Sequence, residues 1–207
     1  MRLAIALAAL TMAAPAQAEH LYPRDECGSA EGAESFRLKL ATAVANRDEA
    51  MLQPLVAPDI KLSFGGDYGW ETMREWLRDP NIRLWDELDK VLALGCSSQG
   101  GDNLSMPWLW GQDLGFDDPF STFVVVGKDV PLRAAPEPGA PVLRRLNWEA
   151  VQLLEYPEDG GDIVRILTRQ GEVGFTDFAS LRSQIDYRLL AERQNGEWII
   201  QYFLAGD

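Results

Sequence analysis

Acidic side chains are the groups in this sequence that could perform general acid–base chemistry. The 207-residue chain has 32 Asp and Glu residues, and Asp59, Asp67 and Glu71 flank a short glycine turn. A glycosidase-type pair needs two carboxyl groups about 5 to 9.5 Å apart in a cleft. In a chain this acidic, such neighbours also arise by chance on a solvated surface. The pattern leaves two alternatives open, a carboxylate-dependent enzyme and an acidic exposed face.

Other catalytic groups are scarce. His20 is the single histidine, and it lies close to the amino terminus, where a side chain is poorly positioned to act as a base. Ser–His–Asp and Cys–His arrangements therefore fail. The two cysteines and His20 lack zinc-ligand spacing, and the aspartates in 113–118 do not follow the EF-hand pattern. We expect no nucleophilic catalysis, no resident metal and no cofactor.

The amino terminus has the pattern of a cleavable signal peptide. MRLAIALAALTMAAPAQA combines one basic residue, a short apolar run and an Ala-x-Ala pattern ending at Ala18. The apolar run is too short to span a bilayer. We therefore predict a signal peptide over 1–18, a periplasmic or secreted mature chain, and no membrane insertion after cleavage.

Charge and cysteine content narrow the partners and the compartment. The formal net charge is −13, and so negative a surface repels nucleic acid, which we exclude as a partner. Cys27 and Cys96 in an exported chain predict a disulfide, because export leads to an oxidising compartment. Two reduced, buried thiols are the alternative.

Hydrophobic periodicity places these groups on elements. Apolar residues at helical spacing predict helices over 35–55, 70–78 and 82–94, hence a mostly helical domain over 19–121 that ends in a loop from 96 to 121. Between 122 and 185, short β-branched runs bounded by Gly, Pro, Asn or Asp predict a small antiparallel barrel or sandwich.

The carboxyl-terminal segment 186–207 predicts a hairpin. In DYRLLAERQNGEWIIQYFLAGD, Asn195-Gly196 joins two strand-like runs. A two-residue turn places Arg193 opposite Trp198 and Leu189 opposite Tyr202. We expect one apolar face to pack back on the body of the protein; it consists of Tyr187, Leu189, Ala191, Trp198, Ile200, Tyr202 and Leu204.

Residues 130–181 resemble a bacterial SH3 domain, a small five-stranded barrel of secreted and cell-envelope proteins. In VPLRAAPEPGAPVLRRL, the family's opening Val-x-Val-Arg-x-x-Pro is matched by Val130, Leu132, Arg133 and Pro136. Its distal Asp-Gly-x-x-Gly-Trp-Val turn is matched by Gly171, Val173 and Gly174. Ile163 and Phe175 stand where the family often has Trp, and the turn Asn147-Trp148-Glu149-Ala150 lacks an expected glycine.

The SH3 resemblance implies a ligand, which is cell-wall peptide or an envelope partner protein. Candidate groove residues on the barrel are Arg133, Trp148, Tyr156 and Phe175, with the alternative that Tyr156 and Phe175 belong to the barrel interior. Trp108 and Trp110 are further candidates, because loop tryptophans stack on sugars or anchor interfaces. Their alternative role is to fill the core between two units.

A second resemblance involves both ends of the chain. FRLKLATAVANRDEAMLQPLVAPDI and NGEWIIQYFLAGD are similar to the ketosteroid-isomerase-like α+β cone, in which a helix pair precedes a curved sheet. Much of that sheet is not evident in the sequence. We predict an α+β protein, with a helical amino-terminal half, an SH3-like barrel and a carboxyl-terminal hairpin, that acts as a non-catalytic binding module. A glycan hydrolase or cone-fold isomerase is the alternative, and a purely structural docking protein is a third.

Overall fold

The computed structural model describes residues 20–98, 100–156 and 161–206, so the predicted signal peptide lies outside the described residues. This part of the chain is α+β, with two sheets and helices packed against the first of them. The predicted α+β class is confirmed. Within these ranges, no helix is long and apolar enough to cross a bilayer.

The elements follow one another in two groups. The helices are α1 (Ala33–Ala45), α2 (Glu49–Leu52), α3 (Trp70–Arg78) and α4 (Leu84–Ala93). The strands are β1 (Arg24–Asp25), β2 (Val56–Lys61), β3 (Gly95–Ser98), β4 (Asn103–Met106), β5 (Thr122–Val125), β6 (Val130–Arg133), β7 (Val142–Leu146), β8 (Ala150–Glu155), β9 (Ile163–Thr168), β10 (Val173–Asp177), β11 (Leu181–Ser183), β12 (Arg188–Gln194) and β13 (Glu197–Leu204). Short 3-10 turns include Trp108–Gly111 and Phe178–Ser180.

The first sheet has six strands in the order β1-β3-β4-β12-β13-β2. Its inner face packs against α1, α3 and α4 through an apolar cluster that includes Leu40, Met73, Leu88, Leu189 and Phe203. The mostly helical prediction for 19–121 is therefore wrong in part, because this segment also supplies four strands. β3 and β4 have only four residues each and contain serines, so neither displays an apolar period.

The predicted hairpin forms around Asn195-Gly196, and its two strands lie in the interior of the first sheet. Arg193 lies opposite Trp198 as predicted, but Leu189 lies opposite Phe203 instead of Tyr202. A bulge between the Leu190 and Ala191 pairs shifts the register by one residue. The shift buries Phe203 fully and leaves Tyr202 37% exposed on the other face.

The second sheet has seven strands in the order β11-β5-β8-β9-β10-β6-β7. Its edge strands β11 and β7 are not hydrogen-bonded to each other, so the order is open where the sequence predicted a closed barrel. The prediction correctly placed antiparallel strands over 122–185.

A disulfide closes a loop within the amino-terminal half of the chain, and a separate apolar cluster joins that half to the second sheet. The predicted disulfide joins Cys27 to Cys96, with a Cα–Cα distance of 5.7 Å. A separate apolar cluster lies where the 3-10 turn at Trp108–Gly111 meets β5 and β8. Its fully or nearly buried members are Leu21, Leu94, Trp108, Leu109, Leu114, Val124 and Ala150.

Candidate functional site

Strand pairing in the second sheet aligns two predicted ligand residues, Arg133 and Phe175. Phe175 of β10 lies opposite Arg133 of β6 on one side and opposite Arg165 of β9 on the other. The row continues to Glu155 of β8. Because directly paired residues share a face of a sheet, the phenyl ring lies between two arginine-bearing positions. We call this surface, formed by Arg133, Phe175, Arg165 and Glu155, the Arg–Phe face.

The alternation of side chains turns the Arg–Phe face outward. Gly174 and Thr176 of β10 are buried, as are Val164 and Ile166 of β9, whereas Phe175 remains outside the buried cluster. A Cβ on Gly174 would lie 2.7 Å from Cδ1 of Leu132, so only glycine allows β10 to pack this closely against β6. The alternative that Phe175 belongs to the interior is wrong.

The charges of this face are unevenly satisfied. Arg165 forms an ion pair with Glu155 at 2.7 Å. Arg133, in contrast, has no side-chain hydrogen bond or ion pair to any residue in 20–98, 100–156 or 161–206. The segment 122–185 carries seven basic and nine acidic residues. It is therefore far less acidic than the segment 19–121, which carries nine basic and nineteen acidic residues. A guanidinium without a partner beside a half-exposed ring can receive a carboxylate.

Exposed apolar groups border the Arg–Phe face. Val142, on edge strand β7, lies opposite Arg133 of β6. Val173 is two residues before Phe175 and therefore on the same face of β10, and both valines are about 41% exposed. Tyr156 follows Glu155 directly and is 65% exposed. Its ring packs edge-on against the ring of Phe178, with the two ring centroids 6.3 Å apart. Tyr156 is therefore at the surface, near one end of the row.

A buried ion pair supports the strand that borders the face. Arg144 of β7 donates two hydrogen bonds to Glu149, at 2.9 and 2.7 Å, and also contacts Glu172 and Gln170 in the β9–β10 turn. The hydrogen bonds to Glu149 raise the pKa of Arg144 above its ordinary value, against the effect of burial. This cluster joins β7, the β7–β8 turn and the β9–β10 turn.

Trp148 lies apart from the Arg–Phe face. Its φ of +45° is in the left-handed region, which favours glycine. The side chain packs against the cluster between the two halves, and its ring lies 6.3 Å from that of Tyr22. The prediction that Trp148 shares a groove with Arg133 is wrong, because the Trp148 ring packs against the apolar cluster around Trp108.

The two loop tryptophans have different surroundings. Trp108 is 2% exposed and belongs to the cluster between the halves, with the guanidinium of Arg24 at 4.8 Å from its ring centroid. It therefore fills the core, and its proposed ligand role is wrong. Trp110 is half-buried over the outer face of the first sheet, where the guanidinium of Arg188 lies 4.2 Å from its ring centroid.

The three candidate catalytic carboxylates are dispersed. Glu71 lines a surface pocket of about 440 Å³ next to Trp70, but neither Asp59 nor Asp67 lines it. Glu71 forms an ion pair with Arg74, while Asp67 accepts a hydrogen bond from Ser63 at 2.6 Å. The pocket that Glu71 lines therefore does not bring these three carboxyl groups together, as the enzyme alternative requires.

The remaining candidate groups have structural partners. The His20 ring nitrogen Nδ1 is 2.7 Å from the carbonyl oxygen of Asn147. A cluster of metal-ligand types occurs at Asp25, Cys27 and Cys96, but the two sulfurs are bonded to each other and are not available as thiolates. A hydrogen bond from Arg37 lowers the pKa of Asp25 below its ordinary value.

Comparison with known proteins adds little to this geometry. No family model and no curated protein matches the chain. A solved protein of unknown function with a cystatin-like fold from Nostoc punctiforme is 10% identical over 83% of this chain and 85% of its own, with a TM-score of 0.28. A Xanthomonas campestris protein assigned as a calcium/calmodulin dependent protein kinase II association domain is 11% identical to this chain. The match covers 89% of this chain and 96% of that protein, with a TM-score of 0.29. Such scores do not establish a shared fold.

Proposed function

We propose that this chain is a non-catalytic, exported binding module whose Arg–Phe face contacts a carboxylate-bearing peptide of the cell wall. The observation that carries the proposal is the register that places Phe175 between Arg133 and Arg165. A guanidinium fork matches a carboxylate in geometry and charge, and an aromatic ring offers apolar contact at small entropic cost. The combination suits a ligand with a carboxylate next to an apolar group.

An SH3-like assignment of residues 122–183 forms part of the proposal. Five antiparallel strands follow in the order β11-β5-β8-β9-β10, and β6 and β7 extend the sheet beyond β10. The largest apolar cluster in this region is composed entirely of residues from this sheet and from the turn at Phe178–Ser180. A sheet face is buried only when something covers it, so this sheet has to curve over its own inner face. That curvature supports a small, open barrel.

Export is supported by the disulfide. Cys27 and Cys96 are fully buried and bonded, and such bonds persist mainly in oxidising compartments. A peptide ligand of the cell envelope would be accessible there. An envelope partner protein with an acidic, apolar segment would use the same two kinds of contact.

Co-sedimentation with purified peptidoglycan tests the proposal. At moderate ionic strength the unmodified protein should sediment with the polymer, and Phe175→Ala or Arg133→Ala should weaken retention about tenfold each, as for residues at the centre of an interface. Phe120→Ala and Arg74→Ala are matched controls on exposed residues of other surfaces. No retention of the unmodified protein, or equal loss in the controls, would refute this function.

A further inference from the structure

A second, unassigned pocket lies on the outer face of the first sheet, which is turned away from the helices. It has a volume of about 210 Å³. Strand pairing forms its floor, since Ser105 of β4 lies opposite Leu190 of β12, which lies opposite Tyr202 of β13. Asn103 and Glu192 form the adjacent pair on the same face. Because three hydrogen-bonded strands hold these side chains, their relative positions are fixed.

Trp110 forms the wall of this pocket. Its 3-10 turn follows directly after β4, and Arg188 of β12 lies against its ring. Arg188 is 5% exposed, does not line the pocket, and its guanidinium lies 5.6 Å from the ring centroid of Phe64 as well, so it is held against Trp110 outside the ligand space. Tyr202, which the bulge in β13 turns to this face, supplies a second aromatic group.

The polar groups of the pocket are unengaged. Asn103, Ser105, Glu192 and Tyr202 all line it, and none has a side-chain hydrogen bond or ion pair to another described residue. Ser105 is only 6% exposed, and its hydroxyl is buried without a partner among them. A buried hydroxyl without a hydrogen bond costs stability. One buried hydroxyl without a partner, at Ser105, next to solvent-accessible polar groups of Asn103, Glu192 and Tyr202 and the ring of Trp110, indicates a ligand that has hydroxyl groups of its own.

We propose that this pocket binds one neutral sugar ring of pyranose size. The apolar C–H face of the ring would stack on Trp110, and its hydroxyls would bond to Asn103, Ser105, Glu192 and Tyr202. The volume is below the roughly 300–1,000 Å³ of pockets for drug-sized ligands, which matches a single ring. A cationic ligand fits less well, because Arg188 already places a positive charge against Trp110. The site is independent of the Arg–Phe face, which belongs to the other sheet.

Saturation-transfer NMR on the full mature protein tests the pocket. The probes are glucose, N-acetylglucosamine and galactose, with acyclic sorbitol and choline as comparison ligands. We expect at least one of the sugars to bind with a millimolar dissociation constant, as is usual for so small a ligand. Binding of none of the three sugars at about 50 mM, or binding of choline or sorbitol as tightly as the best sugar, would overturn the proposal.

Variants locate the binding and separate it from folding. Trp110→Ala should weaken sugar binding at least about tenfold. Ser105→Ala should weaken it several-fold while leaving the thermal midpoint unchanged or higher, because it removes a hydroxyl that lacks a partner. Tyr68→Ala, on an exposed aromatic residue outside the pocket, should leave the dissociation constant unchanged. Loss in Tyr68→Ala, or full binding by both pocket variants, would overturn the assignment.

The same protein preparations distinguish this site from the proposed function. Phe175→Ala should lose retention on peptidoglycan and keep its dissociation constant for the sugar. If no sugar binds while Phe175→Ala still loses retention, the pocket proposal fails alone. If sugar binds and peptidoglycan retention does not depend on Phe175, the Arg–Phe face fails alone.

Discussion

Removal of Arg144 should destabilise the sheet that carries the Arg–Phe face by leaving a carboxylate buried without its partner. The side chain of Glu149 is 5% exposed, and Arg144 meets it with two hydrogen bonds at 2.9 and 2.7 Å. Deleting one partner of a buried pair costs roughly 3–5 kcal/mol. Arg144 itself is 27% exposed, so water can partly replace it, and we expect the lower end, about 3 kcal/mol for Arg144→Met.

Urea denaturation measures this cost. With a slope of about 2 kcal/mol per molar urea, the midpoint of Arg144→Met should fall by about 1.5 M. In the double variant Arg144→Met/Glu149→Gln no charge stays buried, so we expect a loss of only about 1 kcal/mol. Arg145→Ala, in which the lost contact is one hydrogen bond to the carbonyl of Asp129, is the control and should cost less than about 1 kcal/mol.

The double variant decides between two causes. If it is as unstable as Arg144→Met, the cost lies in lost packing or lost hydrogen bonds and the buried charge is not responsible. If Arg144→Met itself costs less than about 1 kcal/mol, the carboxylate of Glu149 reaches water and its assigned burial is refuted.

Three further predictions concern stability. Replacing Cys27 and Cys96 by Ala should cost about 4 kcal/mol in urea denaturation, because the disulfide spans a sequence separation of 69 residues; a loss under about 1 kcal/mol would contradict this. Phe203→Ala should cost about 3–5 kcal/mol and Tyr202→Ala less than about 1 kcal/mol by the same measurement, and the reverse order would refute the bulged register. The pKa of Asp25 is lowered below its ordinary value of 3.8, so its stabilising contribution is complete above that pH and is lost as pH falls through the lower, folded pKa. Asp25→Asn should therefore reduce, by less than about 1 kcal/mol, the difference between the free energies of unfolding measured in urea at pH 6 and at pH 2. An unchanged difference would contradict the ion pair between Asp25 and Arg37.

Local signals in the sequence predicted the features that depend on few residues. Asn195-Gly196 determines a two-residue turn by its backbone preference alone, and a chain with two cysteines leaves a single possible pairing within the chain. The bulge in β13 is different, because nothing in the alternation of apolar residues marks it. Its effect, the exchange of Tyr202 for Phe203 in the core, appears only when both strands are packed.

The candidate site could be predicted only in part. Arg133 and Phe175 are 42 residues apart in sequence, and their alignment depends on the order of β6, β10 and β9 in the sheet, which local patterns do not determine. Arg165, the second arginine of the row, was missed for the same reason. Of the pocket at Trp110, the sequence predicted only Trp110 itself as a ligand residue. Asn103 and Ser105 were missed because the short strand that supplies them shows no clear periodicity.

An NMR titration of the ¹⁵N-labelled protein with soluble, peptide-bearing fragments of peptidoglycan tests whether the Arg–Phe face binds a cell-wall peptide. We expect the largest amide shifts to cluster on β6, β9 and β10, at Arg133, Arg165 and Phe175, and Phe175→Ala should abolish them. Shifts confined to other surfaces, or no shifts at millimolar fragment, would contradict binding at this face.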